Sequence, residues 1–370
     1  MEFDLIARHF ARATPGAVLG VGDDCALLAP TPGMQLAVSS DMLLEGRHFS
    51  PQDSPAGIGH KSLAVNLSDL AAMGATPRWA MLAIALPEEN DAWLTAFARG
   101  FFRMADQHGI ELVGGDTTRG ALTISITVIG EVPPGEALRR DGARSGDDVW
   151  VSGVIGSAAM ALAYRQGRLF MEQIDAARVL PALYLPTPRV ALGIALRGVA
   201  SSAIDISDGL LGDLGHILQR SQLGAVLEFA ALPMLPAVRA YLHEKVARDC
   251  VLAGGDDYEL CFTAPPGKYD AVRTAADNAG VAVTRIGSIS AEPGLVVVGP
   301  DGQPTISCSA SWASVDSTPP IAVVSVPVRK PLRCPTARMS AAAGSAPTAM
   351  PNTKAVGGAV ASDLSAPSRL

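Results

Sequence analysis

The sequence predicts an α/β fold, with helices and strands in mixed α+β order, built as two domains of roughly equal size. Three observations predict it. Short apolar runs alternate with longer segments whose apolar residues recur every three or four positions. The alternation breaks at 133–146, where Pro133, Pro134, Gly135, Gly142 and Gly146 stand among charges, and then resumes. The chain has 370 residues, which fits about two domains.

Residues 34–40 (MQLAVSS) are a short apolar run ending at Asp41 and read as a strand. Residues 60–73 set Leu63, Leu67 and Leu70 with Ala64 and Ala71 at helical spacing. That is an amphipathic helix, stopped by Gly74 and Pro77. A buried strand is expected at 79–86, then a helix at 88–108 with Trp93, Phe97, Phe101 and Met104 down one side. Residues 110–113 form a strand running into the glycine turn GGDTTRG, and 122–129 (LTISITVI) alternates apolar and hydroxyl residues as a half-buried strand does. The second half restarts the pattern, with strands at 147–152, 202–206, 258–263 and 281–286 and helices at 156–166, 209–221 and 268–280. The expected domains are 1–135 and 136–304. Residues 305–370 hold eight Pro, eleven Ser and thirteen Ala and carry a net +4, leaving −11 on residues 1–304. They read as a disordered or linker-like tail, and so abrupt a change of composition also fits a shifted reading frame.

Composition narrows the function. With 29 Lys+Arg against 36 Asp+Glu and no basic stripe, the chain is a poor partner for a phosphate backbone, so no nucleic acid is expected. No apolar run approaches the ~20 residues that span a bilayer, and the N-terminal MEFDLIARHFAR has no signal-peptide pattern, so the expected place is the cytoplasm, off the membrane. Cys25, Cys250, Cys261, Cys308 and Cys334 are scattered, with no C-x-x-C pair, which argues against a disulfide framework or zinc ribbon.

The chemistry lies in the placement of aspartates. They fall in short Gly- or Ser-containing segments at strand–loop–helix junctions: 20–28 (GVGDDCALL), 39–49 (SSDMLLEGRHF), 66–74 (NLSDLAAMG), 114–120, 205–209 (DISDG) and 254–260 (GGDDYEL). Any one of them taken alone is most simply a turn or a helix cap. Asp69 is harder to explain that way, because it sits in a helix otherwise filled with Leu, Ala and Met, where a carboxylate must face a cation or a polar pocket. Six such segments, with hydroxyls and few soft ligands, suit several hard cations such as Mg²⁺. Nucleotide motifs fail: GIGHKS (57–62) has His60 where a phosphate loop needs glycine, and GVGDDC (20–25) lacks the third glycine of a dinucleotide fingerprint.

Together, SDMLLEGRHF, NLSDLAAMGA, GGDTTRG, IDISDGLLGDLGHI and GGDDYELCF closely resemble the motifs of the thiamine-monophosphate kinase family, in the family's order, over about residues 3–304. That family shares a superfamily with aminoimidazole ribonucleotide synthetase. The resemblance implies a two-domain aminoimidazole ribonucleotide synthetase-like fold, with an N-terminal mixed-sheet domain that pairs in a homodimer and a C-terminal α/β domain. It implies ATP-dependent phosphorylation of thiamine phosphate to thiamine diphosphate with Mg²⁺. By motif match, Asp24, Ser39, Ser40, Asp41, Asp69, Asp116, Asp205 and Asp208 would hold several metal ions. Gly115, Asp116, Arg140 and Ser207 would contact ATP, and His48 and Asp256 the thiamine phosphate. Asp256 stands where the family often has Glu, and Trp312 stands about where the family has a substrate-stacking aromatic, in a segment that otherwise does not match. No general base is expected, since the acceptor phosphate, with a second pKa of ~6, is mostly deprotonated already. Three other readings remain: a sister ATP-dependent synthetase, a metal-dependent phosphohydrolase acting without ATP, and a nucleotide-binding relic without turnover.

Overall fold

The structure, a computed structural model, describes residues 2–308. The expectations for 309–370, including Trp312, lie outside the described residues. The elements in chain order are α1 (Glu2–His9), β1 (Gln35–Leu44), α2 (Pro55–Ala72), β2 (Thr76–Leu86), α3 (Asp91–His108), β3 (Glu111–Arg119), β4 (Thr123–Val132), β5 (Asp148–Ser152), α4 (Ser157–Arg165), α5 (Gln173–Tyr184), α6 (Val190–Ala195), β6 (Ser202–Asp205), α7 (Leu210–Ser221), β7 (Gly224–Glu228), α8 (Pro236–Arg239), α9 (Lys245–Ala253), β8 (Leu260–Ala264), α10 (Tyr269–Ala279), β9 (Val283–Ser290), β10 (Gly294–Val298) and β11 (Pro304–Cys308).

The first sheet has the order β1-β4-β2-β3, antiparallel except for the β2–β3 pair. Its inner face follows from the alternation in β4: Ile124, Ile126 and Val128 are fully buried, while the hydroxyl residues between them point the other way. The helices α2 and α3 cover that inner face. The start of α3 is fixed by Asn90, whose side chain accepts the Trp93 N–H at 3.0 Å, and its end by Gly109 in the left-handed region. Its apolar side carries Leu94, Phe97, Phe101 and Met104 into the core, with Trp93 stacked on Phe97.

The second sheet has the order β11-β10-β7-β9-β5-β8-β6 and is mixed, with only β7 and β10 parallel. Every residue of β5, β6 and β8 is buried, as expected for strands covered on both faces. Trp150 and Phe262 of this sheet join the core that α2, α3, α6 and α10 share, and its other face packs on α4, α5, α7 and α9.

Several sequence expectations change. β1 does not end at Asp41 but runs on to Leu44, and GGDTTR is not a turn but the body of β3. The strand β11 carries the second sheet past residue 304, where the second domain was expected to end. The helix α2 is not amphipathic. Thirteen of its eighteen residues are buried, because it lies between the first sheet, α3 and the second half of the chain. Its crossing with α3 is close enough to demand glycine on both sides: a Cβ on Gly59 would stand 2.1 Å from the Phe97 carbonyl oxygen, and one on Gly100 1.8 Å from that of Ala56. We therefore expect Gly100→Ala to destabilise the fold by about 1–3 kcal/mol in chemical denaturation. Gly212→Ala, in a helix with open space at its Cβ, gains up to about 1 kcal/mol in the same assay.

Candidate active site

The site grows from three segments that α2 holds together. On β1, Ser39 and Asp41 alternate onto the inner face toward α2. Ser39 Oγ donates to Asp69 Oδ2 at 2.6 Å, and the Asp41 N–H donates to Asn66 Oδ1 at 3.0 Å. From the same helix Ser68 Oγ donates to Asp205 Oδ2 at 2.7 Å, at the end of β6. The loop that follows β6 is shaped by Asp213, whose Oδ2 accepts the N–H groups of Ser207, Asp208 and Gly209, each at 3.0 Å. The 254–259 loop is laced onto it: Asp256 N–H donates to Ser207 O at 2.9 Å and Tyr258 N–H to Ile206 O at 2.8 Å.

These contacts crowd carboxylates. Burial raises the Asp41 carboxyl, and the charges of Asp69 and Asp208 push it further. Burial, with the charge of Asp69, carries Asp205 up to about 7, against the pull of Ser68 and Arg140. Asp69 is raised by burial too, opposed by Ser39 and Arg140. Asp213 is pushed up to about 6 by burial even though three N–H groups favour its anion. Beside the cluster runs a groove of about 470 Å³, lined by Ser39, Asp69, Met73, Arg139, Arg140 and Arg220. A second grouping lies next to it. Lys61 Nζ donates to Asp256 Oδ2 at 3.0 Å, Tyr258 OH to Asp256 Oδ1 at 3.0 Å, and the charges of Asp256 and Lys61 both act on His48. His48 Nδ1 accepts the Leu44 N–H at 3.0 Å, so a neutral ring carries its proton on Nε2 as a donor.

Ser39, Asp41, Asp69, Asp205, Asp208 and Arg140 are thus brought together with Ser207, and His48 with Asp256. Ser40 is not: it faces the outer side of the sheet, bonded to Thr127 Oγ1 and Ile126 O. Asp116 faces outward too, in the row Met42–Ser125–Ala83–Asp116, while Gly115 is in the inner row with Asp41. Two strands separate β1 from β3, about 14 Å at the usual strand spacing, so Asp116 and Ser40 of one chain do not meet. Asp24 stands in an exposed turn, its N–H on the Asp23 carboxylate. Among the described residues no three His, Cys, Asp or Glu close on one point as a ready metal cage. Lys61, Asn66, Ser68, Asp213 and Tyr258 were missed as site residues. Only Asp213 had a signal, a carboxylate in a first helical turn able to reach back to the preceding N–H groups.

The donor set is carboxylate and hydroxyl oxygen, anionic in excess, beside a groove whose cations are arginines. Such a donor set suits phosphate groups and hard cations, and the two-domain fold is that of the AIR synthase class. The AIR synthase related protein N-terminal domain matches residues 22–132, and the corresponding C-terminal domain residues 144–300. The thiamine-monophosphate kinase of Salmonella typhimurium is 46% identical over 320 residues, 85% of this chain and 97% of that protein, and that of Escherichia coli K12 is 44% identical over the same span. Among solved structures, thiamine-monophosphate kinase from Stenotrophomonas maltophilia K279a superposes with a TM-score of 0.73 at 49% identity, covering 81% of this chain and 95% of that one. AaThiL complexed with AMPPCP and TMP superposes at 0.65 and 28% identity, covering 81% and 92%. The chain belongs to the thiamine-monophosphate kinase family.

The raised Asp205 predicts how stability varies with pH. A carboxyl whose folded value lies near 7 rather than 3.8 favours the fold most below about pH 4, and that contribution is lost as the pH rises through 7. With divalent ions chelated, the thermal midpoint of the wild type should fall between pH 5 and 8 more steeply than that of Asp205→Asn. Parallel curves would count against this placement of the charge.

Proposed function

We propose that the chain transfers the γ-phosphoryl group of ATP to thiamine phosphate, giving ADP and thiamine diphosphate. The observation that carries this is the crowding of Asp41, Asp69, Asp205 and Asp208 beside the Arg140 groove, in a chain whose relatives bear this activity in their names. A terminal oxygen of the acceptor phosphate attacks the γ-phosphorus as the bond to the β,γ-bridging oxygen breaks. That oxygen arrives deprotonated, so no side chain has to remove a proton. The obstacle is repulsion between two anions, and the chain's task is to align them and offset their charge.

Mg²⁺ is the cation that this donor set fits. Its oxygens are hard, and burial keeps some of them protonated in the absence of positive charge. The ions would be held by Ser39, Asp41, Asp69, Asp205 and Asp208; Asp24, Ser40 and Asp116, which one chain does not bring to this cluster, would join only from a paired copy. An open set of this kind leaves coordination positions to water and to phosphate oxygens. When bound, Mg²⁺ neutralises phosphate charge and steadies the in-line transfer. Arg140, Ser207, Gly115 and Asp116 take the nucleotide. His48 and Asp256 take thiamine phosphate.

We also propose a homodimer, paired through the first sheet. Its outer face exposes Leu36, Val38, Met42, Leu44 and Met81 around Ser40 and Thr127, an apolar-rich surface of the kind that marks an interface. Pairing there offers Asp116 a route to a site from which its own sheet holds it away. Domains of 1–135 and 136–304 are supported by the two family matches, with β11 extending the second. A cytoplasmic setting is supported by the free thiols of Cys25, Cys250 and Cys261, and no described helix is long and apolar enough to cross a membrane.

The first test is thiochrome chromatography of thiamine diphosphate made from ATP, Mg²⁺ and thiamine phosphate. Product should need ATP and fall about 100-fold or more in Asp41→Asn, the scale of losing a charge contact to the reacting groups. Phosphate release without ATP would instead favour a phosphohydrolase. In light scattering with chromatography, Val38→Glu should shift the wild-type dimer toward monomer; a monomeric wild type would sink the pairing.

A further inference from the structure

The segment GIGHKS, which fails as a phosphate loop, leaves a charge with no assigned task. Lys61 lies inside α2 with its side chain only 6% exposed, and its ammonium group reaches Asp256 Oδ2 at 3.0 Å. The other carboxylate oxygen, Oδ1, takes the Tyr258 hydroxyl at 3.0 Å. Both ends of this contact are unusual. Asp256 and Tyr258 stand at φ 70 and 51, a backbone region that aspartate visits and a tyrosine seldom does. Their N–H groups are tied to Ser207 and Ile206, so the loop is held on its backbone as well as its side chains.

Stability does not explain the lysine. Burying an ammonium group is unfavourable, and a pair made with a carboxylate that is 30% exposed returns little of that loss. An apolar residue at this helix position would pack as well without a charge to desolvate. What the lysine does instead is fix a direction. A free carboxylate rotates, whereas one held at both oxygens by donors from two different elements presents its remaining lone pairs one way. Thiamine phosphate carries a cationic thiazolium ring and an aminopyrimidine donor, groups that such a carboxylate can meet.

We propose that Lys61 is a positioning residue for the acceptor: with Tyr258 it holds Asp256 in the orientation that receives thiamine phosphate. This rests on the reading that Asp256 belongs to the acceptor site. Lys61 does not line the Arg140 groove, so its effect falls on the acceptor and not on ATP. The electrostatic link to His48, the other acceptor residue, points the same way.

The test is a double-mutant cycle of Lys61→Met and Asp256→Asn, read as separate KM values for thiamine phosphate and ATP. Each single change should raise the KM for thiamine phosphate about 10-fold, the scale of one hydrogen bond to a charged group. The KM for ATP should stay within about twofold, and the double variant should be no worse than the poorer single one, since the lysine acts through the aspartate. Tyr258→Phe, which removes a hydroxyl and keeps the ring, should raise the acceptor KM about threefold, and it decides the matter if Lys61→Met does not fold. Unchanged acceptor KM values, equal rises in both KM values, or multiplicative effects in the double variant overturn the inference while leaving the kinase reading intact. A wild-type chain that cannot phosphorylate thiamine phosphate overturns both.

Discussion

The constraint on which the site depends is the burial of α2 on nearly every side. A helix with so little solvent face must find a partner for each buried polar group it carries, because an unpartnered one costs about 1–3 kcal/mol or more. Here those partners are the site. Asn66 holds the Asp41 N–H, Asp69 takes the Ser39 hydroxyl, Ser68 reaches Asp205 and Lys61 reaches Asp256. Ser62 bonds back to the Gly59 carbonyl, and Asn66 Nδ2 to the Ser62 carbonyl. One helix thus joins β1, the loop after β6 and the 254–259 loop. The glycine contact between Gly59, Gly100 and their facing backbones sets how deeply it sits.

That geometry produces its own electrostatic problem. Four carboxylates are drawn toward one region. Burial raises the pKa values of Asp41, Asp69 and Asp205, and mutual repulsion adds to the rise at Asp41 and Asp205. Arg140 opposes this at Asp69 and Asp205. Added positive charge near this cluster would favour the ionised forms of all four. The same reasoning separates Lys61 from Arg140. The arginine lines an open groove where a planar guanidinium can meet phosphate, while the lysine is enclosed and its ammonium group is already committed to a carboxylate.

The legible part of the sequence was the part in which a residue breaks its local pattern. Asp69 among Leu, Ala and Met had to face something polar, and it faces Ser39 and the Arg140 groove. In the run DISDG, read as more than a cap, three of the five N–H groups converge on Asp213 while Asp205 takes the Ser68 hydroxyl. What stayed hidden was orientation. Strand β1 was cut short at Asp41 because its last residues expose Met42 and Leu44, so the apolar pattern no longer marked the core face. With GGDTTR read as a turn, no alternation could assign Asp116 to the outer face. Lys61 was weighed only against a phosphate loop, and the neighbours that make it informative, Asp256 and Tyr258, are almost two hundred residues away.

The alternation in β1 ties the chemistry to the assembly. Ser39, Asp41 and Leu43 turn inward, while Leu36, Val38, Ser40, Met42 and Leu44 turn outward. A slip of one residue against β4 would send the carboxylate to the outer face and the apolar residues toward the buried aspartates. The register is therefore held at the edge of the sheet as well as within it. β1 is an edge strand, and the Asp41 N–H that would otherwise be open is closed by the fully buried Asn66 of α2. The contact that closes the Asp41 N–H thus also holds the register that turns Leu36, Val38, Met42 and Leu44 outward. In this chain the inward carboxylate of Asp41 and the exposed apolar residues of the outer face are two consequences of one strand register, and neither can drift without the other.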